Sequence, residues 1–217
     1  MLEDVHVQMI CATKQWISLH KHAISGRIQT EEISEKQIEK ISGLSTPPQA
    51  IALVPMMKHV FEPALIRNTW VLALDAINDP GNLGTIIRSA DWFGVETILC
   101  SANCVELYNP KVIQSSMGSL FRVKLIYGDL RQMLLKTPLK KYAATLSGKI
   151  ISEVKFDKEG VLVIGSESHG ISNEIIQLCD HEITIPKTGR AESLNAAVAA
   201  SVILSRIISH NDQPDKL

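Results

Sequence analysis

The chain has 217 residues, of which 45% are apolar and 21% are charged, and its formal net charge is −1. This length suits one large domain, or one domain with a small appendage, and the apolar fraction is too high for a disordered chain. A charge near zero excludes a polybasic protein that binds phosphate over its whole surface. A local basic face is still possible, because residues 71–150 carry 9 basic and 6 acidic side chains, whereas residues 151–217 carry 6 and 10.

The four cysteines have no CxxC spacing, so we expect neither a disulfide scaffold nor a cysteine zinc site. No stretch reaches the ~18–20 apolar residues that span a membrane. The first residues include Glu3 and Asp4 and lack the basic region of an export signal. We therefore expect a soluble, cytoplasmic protein with reduced cysteines, without a metal and without a membrane partner.

The first elements are predicted from apolar spacing and from capping residues. Residues 1–22 place apolar side chains three and four positions apart, which predicts a helix. Ser34 and Gln37 have the spacing of a capping box, which predicts a second helix that ends at Gly43. The apolar run at residues 50–54 predicts a strand.

Residues 55–69 contain two prolines and predict a connector between a segment of residues 1–60 and a domain of residues 70–209, with a frayed tail at 210–217. In the domain, short apolar strands alternate with helices, which predicts an α/β fold whose parallel sheet is covered by helices on both faces. The predicted strands are Trp70–Asp75, Val95–Cys100, Phe121–Ile126, Tyr142–Leu146, Val161–Gly165 and Glu182–Ile185. The predicted helices are 84–93, 110–116, 129–137, 172–179 and 193–209.

Ligands of open parallel α/β sheets bind at the carboxyl ends of the strands. Three loops at these ends are rich in glycine and small polar residues: NDPGNLG at 78–84, GSESHG at 165–170 and PKTGRAESLN at 186–195. None of them matches GxGxxG, GxxxxGKS/T, GxSxG or HExxH, so an ordinary dinucleotide site, a P-loop, a hydrolase nucleophile and a zinc protease are not supported. Glu167 and His169 are too few to predict a metal site.

Together the three loops resemble the three motifs of the SpoU (TrmH-type) class of SPOUT RNA methyltransferases, in order and in spacing. The first motif is NDPGNLGTIIRSADWFG at 78–94, and the second is VLVIGSESHGIS at 161–172. The third runs from ITIP at 183–186 to ESLNAAVA at 192–199. A fourth stretch, NPKVIQSSMGSLFR at 109–122, also looks like the family, and the resemblance covers about residues 70–208.

The resemblance implies a C-terminal trefoil knot, in which the last strand and helix pass through an earlier loop, although most protein folds contain no knot. It also implies S-adenosylmethionine as the cofactor, bound at Gly165, Ile185, Leu194 and Leu146. A glycine at 165 would let a ligand approach the main chain. Without the resemblance, core packing would explain Ile185 and Leu194 equally well.

The same resemblance implies methylation of a ribose 2′-hydroxyl, with Arg88 as the catalytic arginine. A guanidinium is a poor free base, so we expect Arg88 to hold the target phosphate and ribose and to stabilise the developing alkoxide. A deprotonated Arg88 acting as the base is the alternative. Asn82 would fix its loop or the ribose, and Ser193 would also cap the Ala-rich helix that follows it. The remaining polar positions that match the family are Glu167 and Asn195.

We expect RNA as the partner, with rRNA favoured over tRNA and no DNA, contacted by Arg88, Arg122 and Lys111. The alternatives are a tRNA 2′-O-methyltransferase, a SPOUT base methyltransferase, a non-catalytic RNA-binding member of the fold and a generic α/β domain. Residues 1–60 resemble the second half of an L30e-type RNA-recognition domain, which predicts a partial L30e-like segment before the catalytic domain. The resemblance further implies a homodimer with the knot helices at its interface.

Overall fold

The computed structural model describes residues 5–24 and 26–211. The chain divides into two compact units, residues 1–58 and residues 59–217. This division falls inside the proline-containing segment that is predicted to be a connector. Most of the tail that is predicted to fray lies outside the described residues. No helix in the described ranges has the length and apolar character needed to cross a membrane.

The first unit is a three-stranded sheet with two short helices. Its middle strand is β1, which pairs in parallel with β2 and antiparallel with β3. The second helix, α2, begins as predicted with a capping box, in which the side chains of Ser34 and Gln37 each bond the other's main-chain N–H. The elements in chain order are β1 (Met9–Ala12), α1 (Lys14–His20), β2 (Gln29–Glu32), α2 (Glu35–Ile41) and β3 (Ala50–Leu53).

The helix predicted over residues 1–22 is wrong in its central part, because Met9–Ala12 form strand β1. Burial alternates along this strand, and Ile10 and Ala12 are buried in the core of the unit. Four residues are too few to distinguish a two-residue period from a helical one. The pairing of β1 with two neighbouring strands decides the conformation here, and the sequence pattern alone does not reveal those neighbours.

The second unit is a six-stranded parallel sheet in the order β6-β5-β4-β8-β7-β9, which confirms the predicted α/β fold. Its elements in chain order are β4 (Trp70–Asp75), α3 (Pro80–Trp92), β5 (Thr97–Ser101), α4 (Pro110–Ser116), β6 (Lys124–Gly128), α5 (Leu130–Lys136), β7 (Lys141–Ile150), β8 (Gly160–Gly165), α6 (Asn173–Ile176), β9 (His181–Thr184) and α7 (Ala196–Asn211).

Most element bounds differ from the predicted ones by a few residues, and two of these differences follow from local turns. Residues Ser119–Phe121 form a 3₁₀ turn, so strand β6 begins at Lys124 and not at Phe121. Helix α3 begins at Pro80 rather than at residue 84, because Asp79 caps it by accepting the N–H of Asn82 at 2.8 Å. The first motif loop is therefore largely the first turn of α3.

The two central strands position the site. All six residues of β4 are buried, and β4 pairs in register with β8 from Trp70 opposite Gly160 to Asp75 opposite Gly165. Because every strand of this sheet runs in the same direction, all the carboxyl ends meet at one edge. The three motif loops follow β4, β8 and β9, and they therefore meet at this edge.

Candidate active site

A cavity of about 660 Å³ lies at the carboxyl edge of the sheet, between the irregular middle of β7 and the loops that follow β8 and β9. This volume is in the range of sites that bind small molecules and cofactors. The cavity wall includes all four residues that are predicted to contact the cofactor: Gly165, Ile185, Leu194 and Leu146. The structure thus brings together residues from strand β7, from the end of β8 and from the segment between β9 and α7, which are well separated in the sequence.

Two of the wall residues are large apolar side chains that the protein core does not cover. Leu146 is 77% exposed and Leu194 is 45% exposed. Core packing, which would also fit the pattern at Leu194, is therefore not its role. Exposed leucines on a concave wall offer an apolar surface that a flat ligand ring can cover.

Gly165 ends β8 and opens the second motif loop. A Cβ at this position would clash with the main chain of Gly170 and Ile171. The missing Cβ thus makes room for the loop's own backbone, and the approach of a ligand to the main chain at Gly165 stays a prediction. The close approach lets residues 166–170 fold back as a tight hairpin, closed by the Gly170 N–H donating to the Ser166 carbonyl at 2.8 Å.

Asn82, Glu167 and Asn195 form a closed triangle of hydrogen bonds. Asn82 Nδ2 donates to Glu167 Oε1 at 2.8 Å. Asn195 Nδ2 donates to the same oxygen at 2.7 Å and to Asn82 Oδ1 at 2.8 Å. The main-chain N–H of Ala196 also donates to Glu167 Oε1, at 3.2 Å. Since each member comes from a different motif, the triangle ties all three motif loops together.

Asn195 also caps helix α7, a role that the sequence predicts for Ser193. The expectation that Ser193 caps the last helix is wrong, because α7 begins immediately after Asn195. Asn195 Oδ1 accepts the N–H groups of Ala197 and Val198 at 3.0 and 3.2 Å, which is the pattern of an N-cap. Ser193 instead lies on the wall of the larger cavity. The Glu167 carboxylate lies at this helix N-terminus, where the helix dipole stabilises negative charge.

A second cavity, of about 390 Å³, shares the triangle with the first. Asn82 and Asn195 line this smaller cavity, whereas Glu167 lines the larger one. Other residues of its wall come from the start of α3, from α4 and from α7, and they include Asp79, Gly81, Thr85, Ser115, Ser201 and Val202. The triangle is therefore part of the wall of both cavities.

Arg88 is exposed on α3 and lines neither of these two cavities. Within residues 5–24 and 26–211, no hydrogen bond or ion pair holds its guanidinium. Gly81 and Thr85 precede it by seven and three positions and therefore share its face of the helix. Both residues line the smaller cavity, so Arg88 extends the helix face that begins there.

Arg122, predicted to contact RNA, is held by a carboxylate in this structure. Its Nε and Nη2 donate to Asp91, and the shortest distance is 2.6 Å. Ser119 Oγ donates to the same carboxylate at 2.7 Å. These contacts, and above all the one from Arg122, hold the pKa of Asp91 below its ordinary value. The pair joins the segment before β6 to α3, which gives Arg122 a structural role that the sequence did not suggest.

Lys111, the other predicted RNA contact, lies exposed in the first turn of α4. Its Cε is 3.8 Å from the position that a Cβ on Gly81 would occupy, so it lies against the first motif loop. The structure thus places Lys111 beside the loop that carries Asn82, while Arg122 lies further along the chain with Asp91.

One wall residue was missed by sequence reasoning. Thr145 lines the larger cavity, and its buried Oγ1 has no hydrogen-bond partner in the part of the chain that the structure describes. An unpartnered buried hydroxyl needs a reason, and a polar ligand group in the cavity is one. No motif marks this position. The pairing of β7 with β9 shifts register between Ala144 and Lys149, so the strand is irregular where Thr145 lines the cavity.

The fold and the three joined loops define a methyltransferase of the SpoU type. Residues 69–205 match the SpoU rRNA Methylase family, and the chain belongs to that family. The resemblance inferred from the three loops is thereby confirmed.

Two relatives are rRNA-modifying enzymes by name. The chain is 32% identical over 181 residues to the 23S rRNA (guanosine(2553)-2′-O)-methyltransferase RlmP of Bacillus subtilis, covering 82% of this chain and 71% of that protein. It is 33% identical over 169 residues to a 23S rRNA (uridine(2479)-2′-O)-methyltransferase of Streptomyces viridochromogenes, covering 73% of this chain and 59% of that protein.

Solved structures of related proteins have the same fold. The SpoU methyltransferase AviRb from Streptomyces viridochromogenes, in complex with S-adenosylmethionine (AdoMet), aligns with a TM-score of 0.81 at 25% identity, over 94% of this chain and 83% of that one. A TrmH-family structure from Porphyromonas gingivalis aligns with a TM-score of 0.80 at 30% identity, over 95% and 84%.

Proposed function

We propose that this chain is an S-adenosylmethionine-dependent RNA methyltransferase that modifies a ribose 2′-hydroxyl in rRNA. The observation that carries the proposal is the triangle of Asn82, Glu167 and Asn195, which joins three motif loops beside a cavity of about 660 Å³. The names of the two rRNA-modifying relatives support the reaction and the substrate. The cofactor complex of AviRb supports S-adenosylmethionine.

The larger cavity fits S-adenosylmethionine in size and in chemistry. Leu146 and Leu194 offer apolar surface for the adenine, and Thr145 offers an unpartnered hydroxyl. The cofactor's amino-acid end carries both a carboxylate and an ammonium, and the wall provides charges of both signs, from Lys187 and Glu192. When bound, S-adenosylmethionine supplies a methyl group activated by its sulfonium.

The target ribose approaches from the smaller cavity in this proposal, because Asn82 and Asn195 belong to its wall and also hold Glu167 of the larger one. The main contribution of these residues is to hold the reacting groups in line. Such positioning can lower the activation free energy by about 7–11 kcal/mol. Arg88, on the adjoining helix face, holds the RNA phosphate and stabilises negative charge on the 2′-oxygen, since a guanidinium offers several N–H donors to phosphate and ribose oxygens. Lys111 adds a phosphate contact beside the first motif loop.

The proposed working unit is a homodimer that packs through α3 and α7 beside the smaller cavity, which stays open to the RNA at the rim of the interface. Both helices carry large exposed apolar side chains, with Trp92 84%, Val198 48% and Val202 38% exposed. A hydrogen bond of 2.7 Å between Ser89 Oγ and Ser201 Oγ joins the two helices. Sedimentation velocity should show a dimer that Trp92→Ser weakens, and a monomeric wild type at micromolar concentrations would contradict this assembly.

Two further features of the proposal concern the chain path and the first unit. The segment from β9 into α7 forms a trefoil knot, which the placement of β9 beside β7 supports.

The first unit is a partial L30e-like segment that contributes to RNA recognition, which its resemblance to the second half of such a domain supports. The proposed location of the activity is the cytoplasm, where the rRNA substrate lies.

The function is tested with the full chain, tritium-labelled S-adenosylmethionine and unmodified rRNA or tRNA transcripts in separate reactions. The product is digested to nucleosides and identified by chromatography. A 2′-O-methylnucleoside in rRNA is the expected result. A methylated base would contradict the assigned reaction, and label only in tRNA would contradict the assigned substrate.

A further inference from the structure

Asp75 is the last residue of β4 and is only 8% exposed, which makes it the one acidic side chain buried in the described part of the chain. Its main chain lies opposite Gly165, where the second motif loop begins. Its Oδ2 accepts the N–H of Ser172 at 2.8 Å, where that loop has ended. One residue of β4 therefore meets both ends of the loop.

A carboxylate is an unusual choice for this position on packing grounds. The residues of β4 before it, Trp70–Leu74, are all buried and apolar, and an apolar side chain would continue that pattern. A buried carboxylate costs free energy unless hydrogen bonds compensate it. The bond to Ser172 provides such compensation, and it joins two residues that are 97 positions apart in the chain.

The chain that leaves Asp75 runs directly into the first motif. Ala76 adopts a left-handed conformation with φ of +56°, and its N–H donates to Ser101 Oγ at 2.9 Å. Asp79, which caps α3, follows three residues later. The main chain of Asp75 thus leads into the first motif, while its side chain closes the second.

We propose that Asp75 is a positioning residue for the binding of S-adenosylmethionine. It holds the loop of residues 166–171, and through this loop it sets the position of Glu167 and of the adjoining cavity wall. Asp75 itself lines neither of the two cavities described above, so its effect on the ligand passes through the loop. The identity of the ligand rests on the proposed function.

Three variants of the full chain separate this role from simple stabilisation. Asp75→Ala removes the acceptor. Asp75→Asn keeps an oxygen that can accept the Ser172 N–H. Ser172→Pro removes the donor instead, at a residue whose φ of −62° suits proline. The measurements are the Kd for S-adenosylmethionine by calorimetry, the KM for each substrate, kcat and the melting temperature.

Asp75→Ala and Ser172→Pro are each expected to raise the Kd and KM for S-adenosylmethionine about tenfold, as expected for losing one hydrogen bond to a charged group. The KM for RNA should change less than the KM for S-adenosylmethionine, because the loop reaches the RNA side only through the bonds that Asn82 and Asn195 donate to Glu167. The Kd of the Asp75→Asn variant should lie within about threefold of the wild-type value. It should not match wild type fully, since an amide oxygen is a somewhat weaker acceptor than a carboxylate oxygen.

Thr137→Val is the matched control. It removes another buried side-chain bond, from Thr137 Oγ1 to the Met133 carbonyl at 2.8 Å, outside both cavities. It should lower the melting temperature and leave the Kd unchanged.

If the Asp75→Ala and Ser172→Pro variants show this same pattern, or if Asp75→Asn loses affinity as Asp75→Ala does, the inference is overturned. If Asp75→Ala does not fold, the other two variants decide. A wild-type chain that binds no S-adenosylmethionine would overturn the proposed function itself.

Discussion

Asn82 Nδ2 donates a hydrogen bond of 2.8 Å to Glu167 Oε1, across 85 positions of sequence. Asn195 donates to both residues and completes the triangle. The polar residues expected around the pocket are thus each other's partners. Their first role is to hold three loops in one arrangement, and any contact with RNA or cofactor is made from that held position.

Glu167 is the member on which the triangle depends, because one of its oxygens accepts three N–H donors. Glu167→Ala should lower kcat/KM about 10- to 100-fold, since charge-assisted hydrogen bonds contribute about 1.5–3 kcal/mol. Glu167→Gln keeps an acceptor oxygen and should lose less. Methyl-transfer kinetics check both variants, with the exposed Glu174→Ala on α6 as the control. Equal losses for Ala and Gln would mean that the carboxylate's charge, and not its position as acceptor, is what matters.

Asn195 combines a cap and a donor, and Asn195→Asp separates the two. The cap should persist, because an aspartate oxygen can still accept the N–H groups at the start of α7. The donor to Glu167 is lost, and two carboxylates then lie within about 3 Å. Repulsion should raise the pKa of one of them, so activity should be low at pH 7.5 and should recover partly toward pH 5.5 relative to wild type. A pH–rate profile parallel to that of wild type would exclude a shared proton.

Arg88→Ala should reduce methyl transfer about 100- to 1000-fold. The Kd for S-adenosylmethionine should stay within about twofold of wild type, because Arg88 lies outside the larger cavity. Arg67→Ala is the matched control. Arg67 is exposed just before β4, at the opposite edge of the sheet from the motif loops. Single-turnover kinetics and calorimetry separate the two effects. Wild-type turnover by Arg88→Ala would remove this residue from the catalytic set.

Gly165→Ala should displace the second motif loop, because the new Cβ would meet the main chain of Gly170 and Ile171. Overpacking of this kind typically costs about 1–3 kcal/mol of stability. The variant should also bind S-adenosylmethionine at least tenfold more weakly. Gly189→Ala, on the same cavity wall but with open space around its Cβ, should change neither quantity appreciably. Thermal unfolding and calorimetry give both values, and matching results for the two variants would contradict the loop-packing argument.

The Asp91–Arg122 pair should stabilise the fold in a pH-dependent way. The hydrogen bond from Arg122 lowers the pKa of Asp91 below its ordinary value of 3.8. A lowered folded-state pKa means that the stabilisation is present above pH 3.8 and is lost as the pH falls through the lower folded value. Asp91→Asn should therefore be about 1 kcal/mol less stable than wild type at pH 7, with a difference that shrinks below pH 3.8. Urea unfolding at pH 7, 5 and 3 measures this, and a difference independent of pH would show that the charge of Asp91 is not the cause.

The sequence alone predicts those helices and strands that are determined by a few adjacent residues. The capping box of Ser34 and Gln37 and the buried run of β4 are confirmed because a few adjacent residues determine them. The order and spacing of three loops were sufficient for the family. The four residues that this resemblance implies as cofactor contacts all line the larger cavity. These inferences need no knowledge of which strands are neighbours.

The tertiary structure alone decided the features that join distant parts of the chain. The sequence pattern favours a helix at β1 because the pairing partners of this strand, such as Leu53 opposite Met9, lie far away in the sequence. The cap of α7 was assigned to Ser193 because either residue could precede the helix, and the geometry selects Asn195. The bonds that Asn82 donates to Glu167 and that Ser172 donates to Asp75 exist because β4 and β8 are neighbours in register. A hydrogen bond forms only over about 3 Å, and whether remote residues come that close depends on strand order, which local periodicity does not contain.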